Sequence, residues 1–193
     1  MARLIELFLA SFSNHNLALT YILGMCPLIA ISTSVKNAKG MGIAVVLVVT
    51  LTAIINWPIY QFLKSTGTEN LSLLVFMITI AATVQFLELL IEKFLPAMYN
   101  AFGIYLPLIT VNCIVLAVSL FMVNRDYTFA ETAVFSFGSS FGWMIAIVLL
   151  AGVREKMAIY SDLPKGLKGK GIVFIILGIL ALAFIGFTGL ASI

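Results

Sequence analysis

Apolar runs separated by short polar breaks fill this chain from end to end. Most of them reach the roughly 20 residues that a helix needs to cross a bilayer. The first run covers about 4–31 and is interrupted by Asn14-His15-Asn16, Gly24 and Pro27. Clean runs follow at about 40–63 and 71–91, the second carrying Gln85 and Glu88. Another over-long run, about 95–123, is interrupted by Gly103, Pro107 and Asn112, and clean runs at about 132–153 and 172–190 complete the series. The pattern predicts an all-α integral membrane protein with six transmembrane helices, the first and fourth of them broken. Polar connections are expected between the runs, one ending near Glu131 and the longest covering 154–171. A break in lipid frees backbone groups that cost several kcal/mol each if unsatisfied, so protein or a cavity has to cover it.

The two broken runs hold the only two cysteines. Gly24-Met-Cys-Pro-Leu-Ile-Ala-Ile-Ser32 and Val111-Asn-Cys-Ile-Val-Leu-Ala-Val-Ser119 share Cys26/Cys113, Ala30/Ala117 and Ser32/Ser119 when overlaid. The offset, 113 − 26 = 87, is close to half of the 193 residues. The chain therefore reads as one membrane domain, 1–193, built from two repeats at about 1–92 and 93–193. Three spans per repeat is an odd number, so the second copy enters the membrane from the opposite side. Such inverted repeats bring their interrupted helices together near the bilayer midplane, and with them the two cysteine segments.

Composition agrees with the pattern. Hydrophobic residues make up 62 %, charged residues 10 %, and the mean hydropathy is +1.15. Soluble domains have about 45–50 % apolar and about 25 % charged residues. The net charge of +3 comes with no basic patch interleaved with aromatics, so nucleic acid is not an expected partner. Its distribution carries orientation instead. With the N-terminus outside, the inner loops hold Lys36, Lys39, Lys93, Arg154, Lys156, Lys165, Lys168 and Lys170, eight against the three of Arg3, Lys64 and Arg125. The positive-inside rule then places both termini on the outer face of a cytoplasmic membrane. The first run lacks a small-residue cleavage site and reads as a span, not a removed signal.

Cys26 and Cys113 admit two readings from the residues alone. They are thiolate ligands of a soft metal or iron–sulfur centre held between broken helices, or small residues used for helix packing. An iron–sulfur cluster usually takes four thiolates, so the ligand reading requires a partner that supplies two more. His15 is the lone imidazole, and nothing in its spacing ties it to either cysteine. Asn14, His15, Asn16 and Asn112 suit the hydrogen-bonding needs of the breaks. Glu88, an ionisable group inside an apolar run, is a candidate for an ion pathway, or a charge reaching the interface beside Lys93. A stand-alone secondary transporter using Asn14, His15, Asn112 and Glu88 is the competing architecture-level reading.

Several segments carry a family resemblance: 24–28 (GMCPL), 106–113 (LPLITVNC), 125–131 (RDYTFAE), 151–157 (AGVREKM) and 160–171 (YSDLPKGLKGKG). They resemble the E-subunit family of bacterial sodium-translocating NADH:quinone oxidoreductases, over nearly the whole chain. The cysteine motifs are shared with the A-subunit family of the Rnf ferredoxin:NAD oxidoreductase, while 125–131 and 151–171 favour the sodium-pump branch. The resemblance implies a polypeptide that is not catalytic alone but belongs to a redox enzyme complex of the bacterial inner membrane. It implies that Cys26 and Cys113 join two cysteines of the homologous D-subunit around a [2Fe–2S] cluster that relays electrons between flavins across the membrane. Flavins and the NADH site would belong to other members of the complex (its A, B, C and F polypeptides among them), and this chain indeed has no Gly-x-Gly-x-x-Gly fingerprint. Glu88 matches an acidic position that the family associates with sodium uptake.

Overall fold

A computed structural model describes residues 2–12, 17, 19–68, 71–94, 106–110, 112–160 and 170–190, and in these residues all regular structure is helical. The helices are α1 (Ala2–Phe12), α2 (Met25–Ile31), α3 (Val35–Thr66), α4 (Ser72–Phe94), α5 (Leu106–Thr110), α6 (Cys113–Asn124), α7 (Phe129–Tyr160) and α8 (Lys170–Leu190). Val35–Thr66, Ser72–Leu90 and Phe129–Ile159 are each long and apolar enough to cross a bilayer, and Gly171–Gly186 forms a shorter apolar helix. Helix is the expected solution, because lipid offers no partner for an open backbone group.

The centre of the molecule is the pair α3 and α7, 32 residues each. At a 1.5 Å rise each is roughly 48 Å long, well beyond a hydrocarbon core of about 30 Å. They run antiparallel: the backbone N–H of Val35, at the start of α3, donates to Glu155 Oε2 near the end of α7 at 3.1 Å. At the opposite end Lys64 of α3 meets Asp126, just before α7, at 3.2 Å. A Cβ at Gly42 would collide with the side chain of Met144, so glycine sets how closely the two helices approach. One face of α3 buries Met41, Val45, Val48, Val49, Thr52, Ala53 and Asn56, while Ile43, Leu47, Leu51 and Ile55 remain exposed on another. Both faces are apolar, as a helix between a protein core and lipid requires. Helices α1, α6 and α8 pack on α7, while α4 and α6 pack on α3.

Three sequence expectations change. Pro27 does not break the first long segment: the described residues 17 and 19–24 are already non-helical, Gly24 (φ 76°, left-handed) is the last of them, and Pro27 falls in the first turn of α2. An N–H there has no intrahelical partner anyway, so proline costs no hydrogen bond. The polar connection expected to end near Glu131 stops earlier, because the Thr128 N–H donates to Glu131 Oε2 at 3.0 Å. This is one arm of a Thr-x-x-Glu capping box, and it starts α7 at Phe129. At its other end α7 continues through Arg154, Glu155 and Lys156, which were expected in a loop, because the first two find partners on the neighbouring segment. Gly103, Lys165, Lys168 and Asn14-His15-Asn16 lie outside the described residues, as do parts of the first and fourth expected spans.

Candidate cysteine seam

Each cysteine stands in the first turn of a helix that begins at a break. Cys26 is the second residue of α2 and Cys113 the first of α6; both are free and exposed. The residues that start these helices meet. A Cβ built on Gly24 would stand 3.0 Å from Asn112 Oδ1 and 2.6 Å from Trp143 Nε1, so only glycine fits where the segments cross. The positive φ at Gly24 demands the same residue. Asn112 caps α6, its Oδ1 accepting from the Ile114 N–H at 3.3 Å. The indole N–H of Trp143, on α7, donates to the Gly24 carbonyl at 3.3 Å and is itself fully buried.

The two cysteine helices are fastened again further along, α2 at its end and α6 at its middle, each to a long helix distant in sequence. Ser32 follows α2, and Arg154 of α7 donates through Nη1 to Ser32 Oγ at 2.6 Å and to the Ile29 carbonyl at 3.1 Å. A cation there satisfies carbonyls that the end of α2 leaves open and complements its negative pole. The matching serine, Ser119 of α6, accepts from Asn56 Nδ2 of α3 at 2.8 Å, and Thr79 of α4 donates to Asn56 Oδ1 at 2.7 Å. Asn56 and Ser119 are completely buried, and this network satisfies both ends of the Asn56 carboxamide. So α2 is carried by α7 and α6 by α3.

Comparison with known proteins decides the kinship. Residues 4–191 match the family described as Rnf-Nqr subunit, membrane protein. The chain belongs to the Rnf-Nqr family. Relatives named as the E-subunit of the Na(+)-translocating NADH-quinone reductase match along almost their whole length. The one from Methylococcus capsulatus is 50 % identical, covering 98 % of this chain and 99 % of the relative. Those from Azotobacter vinelandii and Neisseria meningitidis serogroup B are 48 % and 47 % identical over the same shares. The family resemblance seen in the sequence is thus borne out, and so is the all-helical membrane fold.

In this Rnf-Nqr chain the predicted residues divide into a seam and an outlier. The Cys26 and Cys113 segments come together through Gly24 and Asn112. Glu88 sits apart, half-buried on α4, and makes no ion pair with Lys93. Five residues apart on a helix, the two do not share a face. His15, Asn14 and Asn16 fall outside the described residues. Among the described residues no group of three or more His, Cys, Asp or Glu could hold a metal ion. Sequence reasoning missed Trp143, Asn56 and Arg154 as positioning groups. The signal for each was a polar tip inside or at the edge of an apolar run, where a polar group needs a partner.

Proposed function

We propose that this chain is a membrane component of a sodium-translocating NADH:quinone oxidoreductase, in which Cys26 and Cys113 provide half of the thiolates for a [2Fe–2S] cluster. One observation carries the reading: two free, exposed thiols sit in the first turns of two helices whose starting residues touch. The donor set fits the group, since iron–sulfur clusters are held by cysteine thiolates, usually four. The homologous D-subunit would supply the other two, with the A, B, C and F polypeptides completing the complex. When bound, the cluster supplies one-electron transfer between flavins of neighbouring polypeptides. The work of this chain is positional. Gly24 lets the two segments cross, Asn112 caps the helix of Cys113, and Trp143 and Arg154 hold the helix of Cys26.

The complete inverted repeat, with both termini on the periplasmic side of the inner membrane, is part of the same proposal. The antiparallel α3–α7 pair supports it, as do Lys36 and Lys39 at one end of α3 and Arg154 and Lys156 at the adjoining end of α7. The test is to purify the complex with its D-subunit and measure iron and the electron paramagnetic resonance (EPR) spectrum after reduction. Loss of the signal in Cys26→Ala and in Cys113→Ala is expected. Unchanged iron content in both variants overturns the assignment.

A further inference from the structure

Asn112 is only 3 % exposed, and its two polar atoms fare differently. The oxygen is committed to the Ile114 N–H at the start of α6. That commitment fixes the amide orientation, because an N-cap needs an acceptor facing the helix. The amino group, Nδ2, is left buried without any hydrogen-bond partner. Buried polar groups are satisfied in the great majority of cases, and an orphan in a native structure calls for a reason. The orphan lies on the residue next to Cys113, and the same carboxamide packs on Gly24, two residues before Cys26. Both neighbouring thiols are free and exposed.

We propose that Asn112 is a positioning residue whose Nδ2 also donates a hydrogen bond to a sulfur of the centre held by Cys26 and Cys113, and so raises its reduction potential. The proposal rests on the cysteine-ligand reading above. Hydrogen bonds to the sulfurs are among the determinants of iron–sulfur potentials, and they favour the reduced form because it carries more negative charge. One residue then does two things with one planar group, capping the helix with its oxygen and tuning the centre with its nitrogen.

Asn112→Ser tests this in the complete complex. Serine remains a good N-cap but lacks the amino donor. The expected result is an iron content and EPR amplitude like those of the unmodified complex, with a lower midpoint potential. The shift should be roughly tenfold in the reduction equilibrium, about 59 mV for a one-electron couple. An unchanged potential with normal iron content overturns the proposal. If Asn112→Ser fails to assemble, pulsed EPR of the unmodified complex decides, with asparagine isotopically labelled at the side-chain amide nitrogen. A coupling from that nitrogen is expected, and its absence overturns the assignment. Failure of the cysteine reading looks different: no cluster signal in the unmodified complex, or a signal that survives Cys113→Ala.

Discussion

Arg154→Ala should loosen the helix of Cys26 without touching the cysteine. Helix α2 has seven residues, far fewer than the roughly 12–15 at which an isolated helix becomes even marginal, so it persists through its tertiary anchors. Those anchors are buried Pro27, Leu28 and Ile31, the Trp143 bond at its start and the Arg154 bonds at its end. Hydrogen bonds from a charged donor contribute about 1.5–3 kcal/mol each. Arg154 makes two, but its guanidinium is only half-buried and water replaces part of what is lost, so a total of about 2–3 kcal/mol is the reasonable figure. At one factor of ten per 1.4 kcal/mol, the open fraction of α2 should rise roughly 30- to 150-fold. Hydrogen exchange of the purified complex, read by mass spectrometry on peptides covering 25–34, measures that fraction directly. Arg154→Lys should fall between the two, since a point charge cannot reproduce the planar fork. Exchange within threefold of the unmodified protein in Arg154→Ala would show that α2 is held by packing alone.

Gly24→Ala combines a left-handed backbone, costing a side chain about 1–2 kcal/mol, with overpacking against Trp143 and Asn112 at about 1–3 kcal/mol. A melting temperature lower by about 5 °C or more is expected, and an unchanged one contradicts the tight crossing. For Glu88→Gln, quinone reductase turnover should need more sodium for half-saturation, whereas an unaltered apparent sodium affinity leaves Glu88 a structural charge. A reporter fused after Ile193 should be active on the periplasmic side, and cytoplasmic activity would refute the charge-based orientation.

Much of the fold was legible because a membrane protein writes its helices as apolar runs. That the two cysteine segments meet was expected from their matched breaks, whereas the contact of Gly24 with Asn112 and the particular cap that Asn112 makes were not. Pro27 misled because proline was weighed by type and not by position, and a first turn tolerates it. Residues 154–156 misled because hydropathy ends where charges begin, whereas the helix ends only where its backbone loses support. Arg154 and Glu155 reach back to the α2–α3 turn and extend α7 by two turns. The Thr128-x-x-Glu131 cap, by contrast, was written in the sequence and only needed reading. Trp143 and Asn56 could not be assigned from sequence, because their partners lie 119 and 63 residues away.

The crossed fastening of the cysteine helices also sets an order of events during synthesis. When α6 emerges, its anchor Asn56 is already made, 63 residues earlier. For α2 the order is reversed: Trp143 follows Gly24 by 119 residues and Arg154 follows Ser32 by 122. At about 5–20 residues per second that is a wait of roughly 6–24 s. Throughout that interval the segment of Cys26 is in the membrane without its clasp, and a chain that stops before Trp143 never acquires one. The thiol pair therefore takes its final form only after Trp143 and Arg154 have been made, so on the proposed cysteine-ligand reading any centre it holds is completed late in synthesis.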